Sequence, residues 1–581
     1  MTELIRQRGS VARLLQSRNL VPFIMVCITA VLVIFPLLRI VQISLTPDGL
    51  AAWADVTNSR LSPNLLWKPI TTTMILGACV ATGCLLLGGF LAWLVVLTDV
   101  PFRRFLGILS TLPFMIPSFA AALAWGTLFR NDRLGGQPGY FTANGVTIPD
   151  WLAWGLLPTL VVLVAHYYSL AYTMIAAALS SVSADLVESA EMAGAKKSLI
   201  LFGIILPVVT PALVAGGMLT FAGAVSNFAA PALLGAPVRM QTLSTRIYGM
   251  VQTGNIERGY VLALILILAA AALLFFSDRL VSGRKAFTTV TGKGARTKRF
   301  ALGFWRWPLF VAAVALGMMT TVIPVLVLFA SSMAEQSGSL FSNWTLHFWT
   351  GPAGTDLAQG QAGIFRDPIL LGSIMTTIRL GLSVAGTTML VGLVIAHTIV
   401  RYKGTFLGNT LSQLAFLPLF IPSIAMAAAY IAMYGTSMGR IPALYGTFTL
   451  LVLAATANLM PYAVQSGRAV LSQISSDIEE SARMTGAGPI RRMTEIVLPL
   501  AVRGILAGGI LVFIKIVRDL SLVVLLFSST TPVLSMMAFN YAGLGFMQFA
   551  NAITLVILVI CLMASALVYL MQNKIQGWKS A

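Results

Sequence analysis

Charged residues are scarce in this chain, at 10% of its 581 residues, whereas 57% of the residues are hydrophobic. Soluble domains contain about a quarter charged residues, so this composition excludes an ordinary soluble protein. Many apolar runs reach the roughly 20 residues that a helix needs to cross a bilayer. The sequence therefore predicts an all-α integral membrane protein.

Cysteine and histidine are also rare. Cysteine occurs four times, always inside an apolar run and never with CxxC spacing. This placement favours small packing residues over a disulfide or a metal site. The three histidines, His166, His347 and His397, are scattered along the chain, so a histidine-based metal site has no support.

A phosphate-binding loop is missing from the sequence as well. The nearest match, Gly292-Lys293-Gly294, is too short and lacks the strand–loop–helix context in which backbone amides cradle phosphates. No pair of catalytic carboxylates and no nucleophile triad is recognisable. The chain is therefore not predicted to be an enzyme or to hold a cofactor of its own.

The formal net charge is +19. Because cytoplasmic loops of membrane proteins are rich in Lys and Arg, this charge indicates which loops face the cytoplasm rather than binding to nucleic acid. With the N-terminus inside, about two dozen Lys and Arg fall in inside segments and about eight outside. Both termini are therefore predicted to be cytoplasmic. The twelve predicted spans are about 20–45, 70–97, 105–130, 153–181, 203–229, 259–277, 308–332, 372–400, 406–434, 443–467, 501–528 and 551–572.

These spans divide the chain into two transmembrane halves. No small-residue cleavage site follows the first apolar run, so it is predicted to be a retained helix and not a signal peptide. The basic linker is predicted to lie against anionic lipid headgroups. The predicted segments are an N-terminal cytoplasmic segment 1–19, a first half 20–281 with a loop at about 182–207, a linker 282–306, a second half 307–572 with a loop at about 474–499, and a cytoplasmic tail 573–581.

The two halves resemble each other in sequence. Leu112–Ser118 matches Leu417–Ser423, and threonines precede a long apolar span at Thr71–Thr73 and again at Thr376–Thr377. Six spans is an even number, so both copies enter the membrane in the same orientation. A parallel repeat of this kind places a pathway on the pseudo-two-fold axis between the copies. The repeat therefore predicts a transporter.

The strongest match between the halves is the loop after the fourth span of each. Counted from Glu188 and from Glu480, Gly follows at +6, Ile at +16, Leu at +18 and Pro at +19 in both copies. Serines before the acidic residues can cap a short helix, and Gly suits a left-handed helix end. Each loop is predicted to form a helix–Gly–helix elbow. Because a structural turn does not need the same residues twice, we expect each elbow to dock on an equivalent surface.

This pattern resembles the EAA loop of binding-protein-dependent ABC permeases with the MetI-like membrane fold. In that family the loop forms a coupling helix that lies in a groove of the nucleotide-binding subunit. The middle residue of the family's Glu-Ala-Ala is Ser189 or Ser481 here, which is a small departure. The residues to which the resemblance gives an ATPase-docking role are Glu188, Ala190, Gly194, Glu480, Ala482 and Gly486.

A second resemblance concerns the stretch after the fifth span. Asn227–Gly235, followed by Thr242–Tyr248, is similar to that stretch in the fused two-half permeases of the ferric-iron type, whereas the copy that begins at Asp519 keeps less of it. The resemblance implies a twelve-helix importer subunit of the bacterial inner membrane that works by alternating access. The implied solute is ferric iron or a related small solute such as thiamine, aminoethylphosphonate or a polyamine.

The same resemblance implies the partners. Two copies of a nucleotide-binding ATPase subunit are expected to carry the ATP and Mg²⁺. A periplasmic or lipid-anchored solute-binding protein is expected to deliver the solute. Because both elbows belong to one chain, we expect one copy of this chain in each transporter, surrounded by membrane lipids and bound to no nucleic acid.

Charged residues inside spans usually face a bundle interior or water, because they are costly in lipid. Lys515, Arg518 and Asp519 fall in the eleventh span, and Asn227 occupies the equivalent position 292 residues earlier. Lys515 and Asp519 are spaced for a local ion pair on one helix face. The alternative is a role of these residues in the pathway or its gate. If the solute is an anion, Arg518 is the residue predicted to meet it.

Two prolines lie in the third span of each half, Pro113 and Pro117 in the first and Pro418 and Pro422 in the second. Proline frees a carbonyl and bends a helix, which a bundle tolerates when neighbouring groups satisfy the backbone. These positions are either hinges for alternating access or fixed kinks.

A secondary transporter is the alternative to an ATP-driven one. Twelve spans in two parallel six-span halves also describe the major facilitator fold. That fold, however, does not account for a repeated loop after the fourth span of each half.

Overall fold

The computed structural model describes residues 20–282, 299–336, 338–437 and 442–576. Regular structure in these ranges is helical, and extended pairing is limited to the isolated bridges Thr98–Phe300 and Ala334–Trp344. The prediction of an all-α protein is confirmed. The predicted N-terminal segment, residues 283–298 of the predicted linker and residues 577–581 of the predicted tail lie outside the described residues.

Thirteen helices, α1 to α13, occupy residues 20–282. In chain order they span Leu20–Ser44, Pro47–Asn58, Lys68–Leu97, Arg103–Thr111, Ser118–Phe129, Tyr140–Ala143, Asp150–Ala153, Leu156–Ser180, Ala184–Met192, Lys197–Ile200, Leu206–Ser226, Leu243–Gln252 and Ile256–Ser282. Short 3-10 or π turns lie at Pro63–Trp67, Leu112–Met115, Asp132–Leu134, Leu201–Ile205, Pro231–Gly235 and Ala236–Val238.

Thirteen further helices, α14 to α26, lie in the described part of residues 299–576. They span Arg306–Gly317, Ile323–Met333, His347–Thr350, Pro368–Arg401, Phe406–Phe416, Ser423–Tyr434, Phe448–Leu471, Ser476–Met484, Pro489–Arg492, Leu498–Val517, Val523–Leu526, Leu534–Gly543 and Met547–Gln576. Short 3-10 or π turns lie at Gly303–Trp305, Met318–Val322, Leu357–Gly360, Leu417–Phe420 and Met493–Val497.

Eight helices of the described chain are long and apolar enough to cross a membrane, and the number rises to eleven if each of three bent helix pairs is one span. These eleven lie at the positions of eleven predicted spans. The remaining predicted span, at about 259–277, corresponds in position to α13. The sequence therefore located the apolar helices correctly to within a few residues at most of their ends.

Glycines allow the long helices of each half to approach closely. At Gly88, where α3 contacts α8, a Cβ atom would lie 2.7 Å from the carbonyl oxygen of Tyr168. At Gly392, where α17 contacts α20, it would lie 2.8 Å from the Cβ of Ala463. Small residues favour such contacts in membranes, where burial from water does not drive helices together.

The two halves are interlocked through hydrogen bonds between helices. Tyr430 in α19 donates to the carbonyl oxygen of Leu32 in α1 at 2.8 Å. The side-chain amide of Asn551 in α26 donates to Thr127 in α5 at 3.0 Å and to Ser331 in α15 at 2.8 Å. Because α1 packs on the second half and α15 packs on the first, the halves together enclose the space between them.

Candidate functional site

The repeated loop sequence forms two nine-residue helices, α9 in the first half and α21 in the second. The Ser183 hydroxyl accepts the N–H of Asp185 at 3.2 Å, and the Ser475 hydroxyl accepts the N–H of Asp477 at 3.2 Å. Serine caps satisfy an unpaired donor of the first turn, and the acidic residues there lie favourably in the helix dipole. Both helices therefore begin at equivalent residues for the same reasons.

Both helices also end in the same backbone turn. Gly194 has φ +83° and Gly486 has φ +88°, values at which any side chain adds strain. The residue after each glycine donates its N–H, at 3.0 Å, to the carbonyl oxygen of Ala190 or Ala482. These bonds form a Schellman turn, which satisfies carbonyl groups at a helix end. The predicted docking residues thus include the two glycines and two alanines that set the shape of the turn.

The outer faces of α9 and α21 expose the same side chains. Met192 is 89% exposed and Met484 is 87% exposed. A methionine with almost no contacts in its own chain is a typical contact residue for a partner, because its thioether adapts to apolar surfaces. These methionines were not among the predicted docking residues, although both lie four residues after the glutamate of their loop, Glu188 or Glu480. Other exposed side chains at equivalent positions of the two helices are Asp185 with Asp477, Leu186 with Ile478, Glu188 with Glu480 and Ser189 with Ser481.

The inner faces of the two helices differ. In α21, Glu479 is buried and accepts hydrogen bonds from Arg401, including one from Nε at 2.9 Å. Its other oxygen lies 3.2 Å from His397 Nε2. The equivalent residue in α9 is Val187, which is buried among apolar side chains. The second elbow is therefore attached to helix α17 by an ion pair, and the first elbow is attached by apolar packing.

Burial raises the pKa of Glu479, but the hydrogen bond from Arg401 and the charge of His397 outweigh it and hold the pKa below its usual range. Because the folded pKa is the lower one, the stabilisation is complete above the usual glutamate pKa. It is lost as the pH falls through the lowered value. His397, which the sequence analysis left as a scattered histidine, is a partner in this cluster.

Replacing Glu479 by glutamine should lower the free energy of opening of α21 by about 3 kcal/mol, the loss expected when one partner of a buried ion pair is removed. Amide hydrogen exchange across α21 of the purified chain measures this change. The difference from the unmodified chain should shrink as the pH falls, since the Glu479 carboxyl is then protonated in both states. Glu480→Gln, at an exposed neighbour, should change the same quantity by less than about 0.5 kcal/mol. Equal exchange in both variants would show that the ion pair does not hold the elbow.

A cavity of about 400 Å³ lies between the two halves and is lined by both. Its wall includes all four residues predicted for the pathway or gate, Asn227, Lys515, Arg518 and Asp519. Concave spaces between repeats of this kind are where transporters hold solutes. The residues that the sequence analysis singled out for their charge within spans are thus brought together at one place.

Asn227 organises the wall contributed by the first half. Its amide group donates to Ser118 Oγ at 2.9 Å and to Tyr167 OH at 3.2 Å, while its carbonyl oxygen accepts the N–H of Ala230 at 3.1 Å. Asp519, at the equivalent position, accepts the N–H of Leu522 at 3.1 Å. Both side chains therefore cap the chain segment that follows an apolar helix, α11 or α23.

The local ion pair between Lys515 and Asp519, one of the two interpretations of their spacing, is wrong. Helix α23 ends at Val517, so Asp519 leaves the helix face on which Lys515 lies. The Lys515 ammonium instead donates to Tyr462 OH at 2.6 Å. Within the described ranges, no ion pair joins Lys515 and Asp519.

Arg518 reaches across the cavity to the first half. Its guanidinium donates a hydrogen bond to the carbonyl oxygen of Phe114 and lies over the Phe114 ring, with 4.7 Å between Cζ and the ring centroid. Cation–π contact and hydrogen bonding both favour a buried guanidinium. Arg518 therefore joins the second half to the broken helix of the first half at the cavity.

The four prolines lie at sharp breaks in the third span of each half. Pro113 and Pro418 lie in 3-10 turns, and Pro117 and Pro422 precede the next helix. The helix axes change direction by 89° in the first half and 109° in the second. Pro117 and Pro418 also line the cavity. Each span is therefore broken rather than gently bent.

Some cavity residues were not found in the sequence. Tyr167, Tyr462 and Ser423 line the cavity through hydroxyl groups that apolar spans also carry elsewhere. His166 is buried in the wall, and its Nδ1 has no hydrogen-bond partner within the described ranges. Its position next to Tyr167 in a span was visible, but nothing in the sequence indicated which face of the helix meets the other half.

Residues 84–284 and 388–577 match the family of binding-protein-dependent transport system inner membrane components. Each match covers the elbow and the cavity wall of one half. The chain belongs to this family and is a membrane-spanning transport permease rather than an enzyme. The alternative of a secondary transporter gains no support from this assignment.

Similar proteins extend over most of the chain. A putative ferric transport system permease protein of Haemophilus influenzae is 22% identical over 512 residues, which cover 86% of this chain and 76% of that protein. A ferric transport system permease protein of Actinobacillus pleuropneumoniae is 22% identical over 516 residues, 86% of this chain and 70% of that protein. A probable ABC transporter permease protein of Sinorhizobium fredii is 25% identical over 490 residues, 82% of each chain.

Proposed function

We propose that this chain is the permease subunit of an ATP-driven, binding-protein-dependent importer, which forms the solute pathway and couples it to separate ATPase subunits. The main support for this proposal is the pair of elbows, α9 and α21. They share their caps, their left-handed glycines and the exposed Met192 and Met484. Two similar outer faces fit two equivalent partners, as a pair of identical ATPase subunits would provide.

The proposed architecture is twelve transmembrane helices in two parallel MetI-like repeats, with both termini in the cytoplasm of a bacterial cell. Equivalent contacts in the two halves support it. Thr73 Oγ1 accepts the N–H of Leu243 at 2.9 Å, and Thr377 Oγ1 accepts the N–H of Leu534 at 2.9 Å. These bonds fix the helix that follows the cavity wall in each half, and they use the threonines that match in sequence.

The proposed mechanism is alternating access through the cavity. Broken helices line it from both halves, and Arg518 joins them across it. Closure of the ATPase subunits would move the elbows, and rigid helices such as α11 and α23 would carry that movement to the cavity wall. The breaks at Pro117 and Pro422 are the proposed hinges, because a broken helix can change angle without losing its own hydrogen bonds.

The proposed solute is ferric iron or a related small solute such as thiamine, aminoethylphosphonate or a polyamine. The ferric relatives support the first choice, since they align with most of the chain. Lys515 and Arg518 line the cavity, and Asp519 is the one carboxylate among the described residues of its wall. Such a wall suits a solute that passes as an anion, including a metal ion carried with anionic ligands.

The proposed complex contains one copy of this chain, two ATPase subunits that bind ATP and Mg²⁺, and a periplasmic or lipid-anchored binding protein. Co-expression with its ATPase, followed by mass measurement of the purified complex, should give one permease to two ATPases. The isolated chain should show no ATP hydrolysis. A complex with two copies of this chain around one pathway, or turnover by the chain alone, would contradict the proposal.

A further inference from the structure

A second cleft lies away from the cavity, where the end of the linker meets the loop between α3 and α4. Phe300 pairs with this loop through two backbone bonds: its N–H donates to Leu97 at 2.7 Å, and its carbonyl accepts the N–H of Asp99 at 3.3 Å. The Asp99 carboxylate also accepts the N–H of Leu302 at 2.9 Å. The two segments are therefore held together as one built surface.

Four guanidinium groups surround this cleft, which has a volume of about 630 Å³. Among the described residues of its wall, Asp99 is the one acidic residue, and its carboxylate already accepts the N–H of Leu302. Within the described ranges, none of the four arginines forms an ion pair. The four arginines are Arg103, Arg104, Arg299 and Arg306.

Arginines gathered without counter-charges repel one another, so the arrangement favours an anion between them. A guanidinium fork fits phosphate oxygens in a bidentate geometry. Arg103 and Arg104 lie at the start of α4. Arg299 lies at the end of the linker, and Arg306 lies at the start of α14. The fold thus brings together two pairs of arginines that the sequence separates by almost 200 residues.

Exposed aromatic side chains accompany this cleft: Phe102 lines it, and Trp305 and Trp307 flank the lining Arg306 in the chain. Phe102, Trp305 and Trp307 are exposed by 69%, 61% and 58%. The positive φ of Phe102, +48°, directs its ring towards Phe310, with 5.8 Å between centroids. Exposed Trp and Phe beside basic residues are typical of the membrane–water interface. A soluble phosphate compound would not need such a rim, whereas a lipid has both a phosphate and an apolar part.

We propose that this cleft binds the phosphate-bearing headgroup of an anionic phospholipid in the cytoplasmic leaflet. The location in that leaflet rests on the proposed orientation of the chain. The lipid would neutralise the four arginines and fasten the linker end, which joins the two halves, to the loop before the broken helix of the first half. Basic pockets between helices on the cytoplasmic side are suited to such headgroups.

Native mass spectrometry of the full chain in detergent tests the site by titration with phosphatidylglycerol, with phosphatidylcholine and with inorganic phosphate. The unmodified chain should bind one phosphatidylglycerol at least about tenfold more tightly than phosphatidylcholine. A variant with Arg103, Arg104, Arg299 and Arg306 all replaced by glutamine should lose this preference. The matched control removes four exposed positive charges predicted to lie on the other side, at Arg60, Lys68, Arg239 and Arg366, and should keep it.

Two results would overturn the lipid assignment. One is a preference that persists in the variant without the four cleft arginines. The other is displacement of phosphatidylglycerol by an equal concentration of inorganic phosphate, which would identify a site for free phosphate. Because the measurement uses neither ATPase nor transport, it is independent of the importer function. Labelling of an Arg104→Cys variant only from outside the cell would overturn the assignment to the cytoplasmic leaflet, while the lipid preference measured on the unmodified chain would stand.

Discussion

Replacing Met192 and Met484 together by glutamate is expected to reduce ATP-driven uptake at least about 100-fold, since each central contact residue of an interface contributes about 2 kcal/mol or more. Both side chains are almost fully exposed, so the change should not disturb the fold of the chain. A carboxylate in their place would lose its water on docking without gaining a partner. Uptake into cells or vesicles, with the amount of co-purified ATPase, measures the effect.

The control for this double variant keeps an apolar side chain at both positions. Met192→Leu with Met484→Leu changes shape but not polarity, and we expect uptake within about threefold of the unmodified chain, as for a volume-conserving exchange. The single glutamate variants separate the two elbows. Undiminished ATPase binding by the double glutamate variant would show that α9 and α21 are not the docking helices.

Replacing Arg518 by glutamine is expected to lower uptake of an anionic solute about tenfold or more, because a hydrogen bond to a charged group contributes about 1.5–3 kcal/mol. The change also removes the donor to the Phe114 carbonyl and the contact with its ring. Arg518→Lys keeps the positive charge but lacks the planar guanidinium, which can donate two parallel hydrogen bonds. We therefore expect its uptake to lie between that of the unmodified chain and that of Arg518→Gln. Transport by reconstituted complexes with normal ATPase content measures both.

The control for Arg518 is the same substitution at Arg379, an exposed arginine in α17. Arg379→Gln also removes one positive charge from a span, but it does not touch the cavity, so uptake should remain unchanged. Unchanged uptake by the Arg518→Gln complex would remove Arg518 from the pathway. An equal loss in both variants would indicate a general effect of charge in the spans.

The elbows were predictable because they depend on neighbours in the chain. Ser183 and Ser475 cap their helices two residues away, and Gly194 and Gly486 act through their own backbone angles. Local rules of this kind are visible in a single sequence. The positions of the apolar spans were visible for a similar reason, since a bilayer requires a minimum length of apolar chain.

The cavity and the attachment of the second elbow depend on contacts between distant residues. Glu479 and Arg401 are 78 positions apart, and no periodicity links them. Lys515 and Asp519 had helical spacing, but α23 ends between them, because the chain turns there to form the cavity wall. The repeat showed which residues of the two halves are equivalent. It did not show which helix faces of the two halves contact each other.

The different attachment of the two elbows has a thermal consequence. Val187 is held by apolar packing, and removal of apolar surface from water stabilises less as the temperature falls. Glu479 is held by Arg401 and His397. The cost of removing charged groups from water keeps falling as the temperature rises, whereas apolar stabilisation levels off. On heating we therefore expect α9 to open before α21, so that the two elbows would fail at different temperatures.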